Sequence, residues 1–210
     1  MDIIKCLEWR YAVKKFDPSK KLSNEKVRML KQAFNLTPTS FGLQPMKMIV
    51  ISDKELQEKF VELSYNQRQV ADASHLLIFC IDDDTTSEDI NTYFDLEKRK
   101  RNVSEEVVGD FRNHLLNMYK NMSVEDRQLS AKYQTYIALG NLMTVCAVEK
   151  IDAIPMEGFI PSKVDELLKL NDRNLKSVLM MPVGYRAEDD QMSAMAKVRK
   201  SQKETIIEIS

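Results

Sequence analysis

Apolar residues at Ile3, Ile4 and Leu7 recur at helical spacing ahead of Arg10, predicting a short first helix that ends where a basic motif begins. Ser23, followed by Glu25 and then Val27, Leu30, Ala33 and Phe34, reads as a capped helix running to about residue 35, where Thr37-Pro38 stops it. Residues 46–51 form a short apolar, β-branched run after Pro45 and predict a strand. Asp53 starts another helix, and residues 75–81 predict a second, buried strand. From residue 89 to about 150 the pattern is helical, broken near Asn102-Val103-Ser104 and Asn121-Met122-Ser123. Its last stretch, residues 133–148, is apolar almost all round, which predicts burial on several sides, in the core or at a subunit interface. A short helix over 162–170 and a third strand over 177–184 follow. The tail, Thr205-Ile206-Ile207-Glu208-Ile209, is strand-like and needs a partner sheet in its own or another subunit.

Elements in this order predict an α+β fold of three layers, α-β-α, with a mixed central sheet flanked by helices. The unbroken helical middle departs from regular alternation, so a standard doubly wound fold is not expected. Neither GxGxxG nor GxxxxGK[ST] occurs. The chain has 210 residues, a length that suits one domain over residues 1–210 with a substantial core.

Composition removes several function classes. With 31 basic and 32 acidic residues the whole-molecule field offers no general attraction for nucleic acid or an anionic membrane, so any anion site must be local. Cys6, Cys80 and Cys146 lie far apart and suggest neither a disulfide framework nor a zinc cluster, which fits a reducing compartment. Residues 1–10 carry Asp2, Lys5 and Glu8 and do not read as a signal peptide, and the nearly apolar run 137–148 falls short of the roughly 20 residues a bilayer requires. A cytoplasmic location is the expectation. Lys98-Arg99-Lys100-Arg101 reads as a solvated helix face with Asp95–Arg99 and Glu97–Arg101 pairs. Asp82-Asp83-Asp84 reads as a solvated loop, and no metal site is expected: His75 and His114 are too far apart for a local motif, and His75 is read as structural.

What remains is a set of short, separated pieces: Arg10-Tyr11-Ala12-Val13-Lys14, Pro38-Thr39-Ser40-Phe41-Gly42-Leu43-Gln44-Pro45, Pro155-Met156-Glu157-Gly158-Phe159 and Lys197-Val198-Arg199. They place cations near both ends of the chain, hydroxyls and a glycine between prolines, and a Glu-Gly turn late in the sequence. With Met1-Asp2-Ile3-Ile4, Phe16-Asp17, Asp72-Ala73-Ser74-His75 and Pro182-Val183-Gly184-Tyr185, their order and spacing resemble the FMN-dependent nitroreductase family. The match lies with its oxygen-insensitive NAD(P)H nitroreductase and dihydropteridine reductase branch and covers essentially the whole chain.

That resemblance implies a homodimer with two equivalent FMN sites at the subunit interface, and a C-terminal strand exchanged between subunits. NADH or NADPH would be the co-substrate, and nitroaromatics, quinones or pterins the small-molecule acceptors, reduced by two electrons in ping-pong fashion. It implies Arg10, Lys197 and Arg199 as ligands of the FMN phosphate, a task suited to charge-assisted hydrogen bonds. Lys14 would face the pyrimidine edge of the flavin, where a cation stabilises the reduced anion. Asn66 would bond the same edge. Tyr11, Ala12, Pro38, Thr39, Ser40, Gly42, Gln69, Pro155 and Met156 complete the implied cofactor contacts, and loop 39–42 would reach the neighbouring subunit's flavin. The Glu157-Gly158 turn would offer a backbone N–H to the reactive ring nitrogen, with Glu157 orienting nicotinamide or substrate. Phe41 and Phe111 would wall the acceptor. Gln69 and Ala12 stand where relatives often carry Lys and Ser, which implies a somewhat lower flavin potential. A flavin or enone reductase of the same superfamily, and a noncatalytic flavin-binding protein, are the alternatives.

Overall fold

The computed structural model describes residues 2–209. Its centre is a four-stranded sheet of order β1-β2-β4-β3, formed by β1 (Met46–Ile51), β2 (His75–Asp82), β3 (Asp152–Ala153) and β4 (Leu175–Gly184). All three ladders are antiparallel. Parallel pairing is limited to one isolated bridge, Ala12 with Ala153, so the mixed character expected of the sheet narrows to that single contact.

Because side chains alternate across a strand, β2 feeds two cores. Leu76, Ile78 and Cys80 point to one face and Leu77 and Phe79 to the other. The first face is covered by α3 (Lys54–Leu63), the single turn α4 (Gln69–Asp72) and α8 (Pro161–Leu167), which contribute Phe60, Val70 and Val164. The second is covered by α2 (Asn24–Asn35) and α7 (Val124–Val148) through Leu30, Ala138, Leu139, Leu142 and Cys146. Removing each of the leucine, isoleucine, valine and phenylalanine side chains among these from water stabilises the fold by about 1.5–3 kcal/mol. This is the three-layer arrangement the hydropathy pattern predicts. A smaller cluster, Ile90, Phe94, Val108, Leu115 and Tyr119, joins α5 (Ser87–Arg101) to α6 (Glu105–Asn121).

Helix starts follow local chemistry. Ser23 and Asp53 accept the N–H groups of Lys26 and Leu56 at 3.3 and 2.7 Å, and Thr86 with Asp89 closes a capping box. No helix among the described residues is long and apolar enough to cross a membrane.

Four readings change. The tail makes no strand within this chain: Gln202–Thr205 forms one helical turn, α9, and Ile206, Ile207 and Ile209 beyond it are exposed and pair with no strand of the sheet. The apolar helix is not buried all round within this chain, because Tyr133 and Ile137 are 58% and 45% exposed. The Asp82–Asp84 run is ion-paired instead of solvated, with Lys47, Lys176 and Arg127 on successive carboxylates. Asp95 meets Lys98 and Arg112 in place of Arg99.

Candidate flavin site

Arg10 is the C-cap of α1 (Ile3–Trp9), where its extended backbone ends the helix. Its neighbours form a clamp: the Trp9 and Tyr11 rings lie 4.5 and 4.4 Å from the Arg186 guanidinium, within cation–π range. Arg186 is held in turn by buried Asp152 on β3, with Nε and the backbone N–H both donating at 2.8 Å. The chain on either side of Arg10 is therefore fixed to the sheet edge. The parallel bridge between Ala12 and Ala153 continues that attachment, and Val13 is fully buried.

The C-terminal segment returns to the same place. Lys197 donates from its ammonium to the Arg10 carbonyl. Burial and the nearby Arg199 charge lower the Arg10 pKa, and burial, Arg10 and Arg199 lower that of Lys197. Among the described residues no carboxylate lies within salt-bridge distance of Arg10, Lys197 or Arg199. Three cations held together without a counter-charge suit a multiply charged anion such as a phosphate ester. Lys14 is exposed, with its backbone N–H on Asp190 at 3.0 Å.

Loop 38–44 is tied to the helical side of the molecule. Ser40 N–H donates to Gln134 Oε1 at 2.8 Å, and the Gln134 amide, which is 5% exposed, donates back to the Ser130 carbonyl. Thr39 Oγ1 accepts the Gln44 N–H at 3.1 Å, so that hydroxyl is engaged within the loop, whereas Pro38 and Ser40 are exposed. Phe41 lies in the left-handed region at φ 59°, unusual for a bulky residue, and its ring meets Phe111 edge-on at 6.1 Å. Gly42 follows at φ 75° with the Tyr93 hydroxyl 2.4 Å from where a Cβ would stand. Phe111, on α6, also meets Phe94 edge-on and stacks on His114.

The third piece leaves the sheet after Met156, whose N–H and C=O are both paired with Met180 and whose side chain is in the core. Beyond it Glu157 is exposed and Gly158 half-buried, while Phe159 returns to the core. Glu157 accepts the Tyr136 hydroxyl at 2.7 Å, an interaction that, with burial, pushes the Tyr136 pKa up to about 12. The Gly158 carbonyl accepts from Gln67 at 3.1 Å, and a Cβ at Gly158 would stand 3.0 Å from the same amide. Tyr65 and Asn66, both left-handed, turn the chain after α3 so that Asn66 and Gln69 flank Gln67 beside this turn.

The structure thus joins Arg10–Lys14 with Lys197 and Arg199, and joins Asn66–Gln69 with Pro155–Gly158. Among the described residues no hydrogen bond links loop 39–42 to the three cations. Gln134, Tyr136, Arg186 and Asp190 escaped the sequence reading. Gln134 carried a signal, as a long amide bordering an otherwise apolar run. Asp190 carried none, since Glu188-Asp189-Asp190 reads as a uniform acidic stretch. The Ser74 hydroxyl lies 2.9 Å from His75 Nδ1, in keeping with a structural histidine, and no cluster of metal-ligating side chains occurs among the described residues.

A family model described as the nitroreductase family matches residues 7–185. The oxygen-insensitive NAD(P)H nitroreductase of Salmonella typhimurium is 30% identical over 218 residues, covering 100% of both chains. A nitroreductase-like protein from Streptococcus mutans superposes with a TM-score of 0.86 at 22% identity, covering 99% of this chain and 98% of the other. A structure from Exiguobacterium sibiricum, described as a nitroreductase in complex with FMN, gives 0.85 at 19% identity over 100% and 98%.

Proposed function

The chain belongs to the nitroreductase family, and from that premise we propose that it is an FMN-dependent NAD(P)H oxidoreductase. Its acceptors are nitroaromatics, quinones or pterins, reduced by two electrons with ping-pong kinetics. The observation that carries this reading is the cation cluster of Arg10, Lys197 and Arg199, drawn from opposite ends of the chain and lacking any carboxylate partner among the described residues.

When bound, FMN supplies reversible hydride chemistry. Arg10, Lys197 and Arg199 hold the phosphate, and exposed Lys14 stabilises negative charge at the pyrimidine edge. Asn66 and Gln69 border that edge. Ala12 brings no hydroxyl and Gln69 no charge, so Gln69→Lys raises the flavin midpoint potential; an unchanged potential in a redox titration would refute the assignment of Gln69. The Glu157-Gly158 turn offers a backbone N–H to the ring, and Tyr136 fixes the carboxylate of Glu157 where it can orient nicotinamide. Phe41 and Phe111 form the acceptor wall, favouring flat, electron-poor rings.

We further propose a homodimer that completes two such sites. Ile3, Ile4 and Leu7 on α1 and Tyr133 and Ile137 on α7 are exposed apolar side chains on two helices that pack together, and Ile206, Ile207 and Ile209 extend the apolar surface along the tail. Pro38, Ser40 and Gly42 then serve the partner's flavin, and the tail pairs with the partner's sheet. Residues 1–210 act as one FMN-binding domain. The three free, buried cysteines accord with a reducing, cytoplasmic setting.

The test is an absorbance spectrum of the purified protein, with anaerobic NADH or NADPH and then a quinone. A flavin band near roughly 450 nm that bleaches and returns supports the reductase. Flavin that binds but never bleaches favours a noncatalytic carrier, and no flavin binding after reconstitution overturns the reading of the cation cluster.

A further inference from the structure

Lys197 and Arg199 are nearly the whole chain away from Arg10, so something must set the two segments in register. The Asp190 carboxylate stands at that junction and is 4% exposed. Oδ2 accepts the Tyr11 hydroxyl at 2.9 Å and the backbone N–H groups of Lys14 and Lys15 at 3.0 and 3.3 Å. Oδ1 accepts the Met192 N–H at 3.1 Å and so caps the turn Gln191–Ala194, from which the chain runs on to Lys197. No cation lies within salt-bridge distance of Asp190 among the described residues, whereas its neighbour Asp189 pairs with Lys15 at the surface. One ionised carboxylate is therefore desolvated to receive three donors from the N-terminal motif and one from the C-terminal segment. A buried charge spent on four donors, three of them main-chain N–H groups, is an anchor for backbone geometry.

We infer that Asp190 is a positioning residue for the phosphate site: it locks residues 11–15 to residues 190–192 and thereby aligns Arg10 with Lys197 and Arg199. This rests on the FMN reading above. Tyr11 acts through the same lock, since its ring lies against Arg186 and its hydroxyl is on Asp190, leaving it as a strut beneath the site. An asparagine cannot replace the carboxylate, because its NH2 group must face at least one of the four donors.

The discriminating measurement compares FMN with riboflavin, which lacks the phosphate, by fluorescence titration of the full-length apoprotein, wild type against Asp190→Asn and Tyr11→Phe. Wild type binding FMN in preference to riboflavin is the expected starting point; no such preference overturns the phosphate reading itself and this inference with it. In Asp190→Asn the FMN affinity falls by about tenfold or more and riboflavin falls by less, so the preference narrows. Tyr11→Phe, which deletes one donor and keeps the ring, narrows it by about threefold and reports even where Asp190→Asn does not fold. Equal weakening of both ligands in every variant that folds, or no weakening, overturns the positioning role while leaving the flavin site intact.

Discussion

On α5 and α6, Lys98 lies 3.0 Å from Asp95 and 2.7 Å from Glu105, and Arg112 reaches Glu105 as well. At the junction of the chain ends, Arg10, Lys197 and Arg199 gather with no acid among the described residues. The protonation equilibria record the difference. Hydrogen bonds donated to Glu105 and Asp95 raise the Lys98 pKa, and the two carboxyl groups are held below the usual range. Arg10 and Lys197 shift the other way, lowered by burial and by each other's neighbourhood of positive charge. A cluster whose members favour each other's charged forms is complete as a structural element. One whose members oppose them is held in place by the rest of the fold and gains stability only when an anion arrives.

The largest expected effect separates the two clusters by ligand. Arg10→Gln weakens FMN binding by about 10–100-fold, the ~1.5–3 kcal/mol of a hydrogen bond to a charged group. Arg112→Gln leaves the FMN affinity of the folded protein unchanged. Flavin fluorescence titration of both variants checks this, and an FMN affinity equally sensitive to Arg112 would erase the contrast. Next in size is stabilisation by phosphate alone. Inorganic phosphate at about ten times its Kd stabilises the apoprotein by ~1.4 kcal/mol, a rise in Tm of a few degrees in differential scanning fluorimetry. Lys197→Met abolishes that rise and Lys98→Met keeps it.

How much of this was legible in the sequence depended on range. Short apolar runs and helical spacing found three of the four strands and the longer covering helices, because Leu76 to Ile81 and Leu30 or Leu142 take their place from neighbours a few residues away. Caps such as Ser23 and Asp53 were equally local. The matched pieces led to Arg10, Lys197 and the Glu157 turn, yet what positions them was hidden. Asp190 meets Tyr11 across 179 positions, Arg186 meets Asp152 across 34, and Gln134 meets Ser40 across 94, and in no case does composition mark the partner. The tail misled for a related reason: strand propensity at Ile206, Ile207 and Ile209 describes what those residues would do beside a sheet edge, and within this chain they lie beside none.

A smaller effect tests whether the balanced cluster is only structural. Glu105→Gln removes the acceptor shared by Lys98 and Arg112 and lowers stability only slightly, since the Glu105 carboxylate is half-exposed and screened. In about 1 M salt the loss vanishes. Denaturant unfolding at low and high salt measures it, and an FMN affinity that falls with it would join the two clusters functionally.

The smallest effect is the response to alkaline pH, and it has opposite signs in the two regions. A lysine in the unfolded chain titrates near about 10.4. Lys98 titrates above its unfolded value in the folded state, so its contribution is fully present below about pH 10.4 and is lost as pH rises through its folded pKa. Lys197 titrates below its unfolded value, so the apoprotein carries a charge penalty at neutral pH that is relieved as pH rises through the lowered folded pKa. Unfolding midpoints of Lys98→Met and Lys197→Met, each taken relative to wild type between about pH 7 and about pH 11, should therefore diverge. The stability difference of wild type over Lys98→Met shrinks with pH, and that of wild type over Lys197→Met grows. Saturating FMN reverses the second trend alone, because a phosphate beside Lys197 makes its proton stabilising. Parallel pH trends in the apoprotein, or a Lys197 trend indifferent to FMN, would show that the three cations carry no unmet charge.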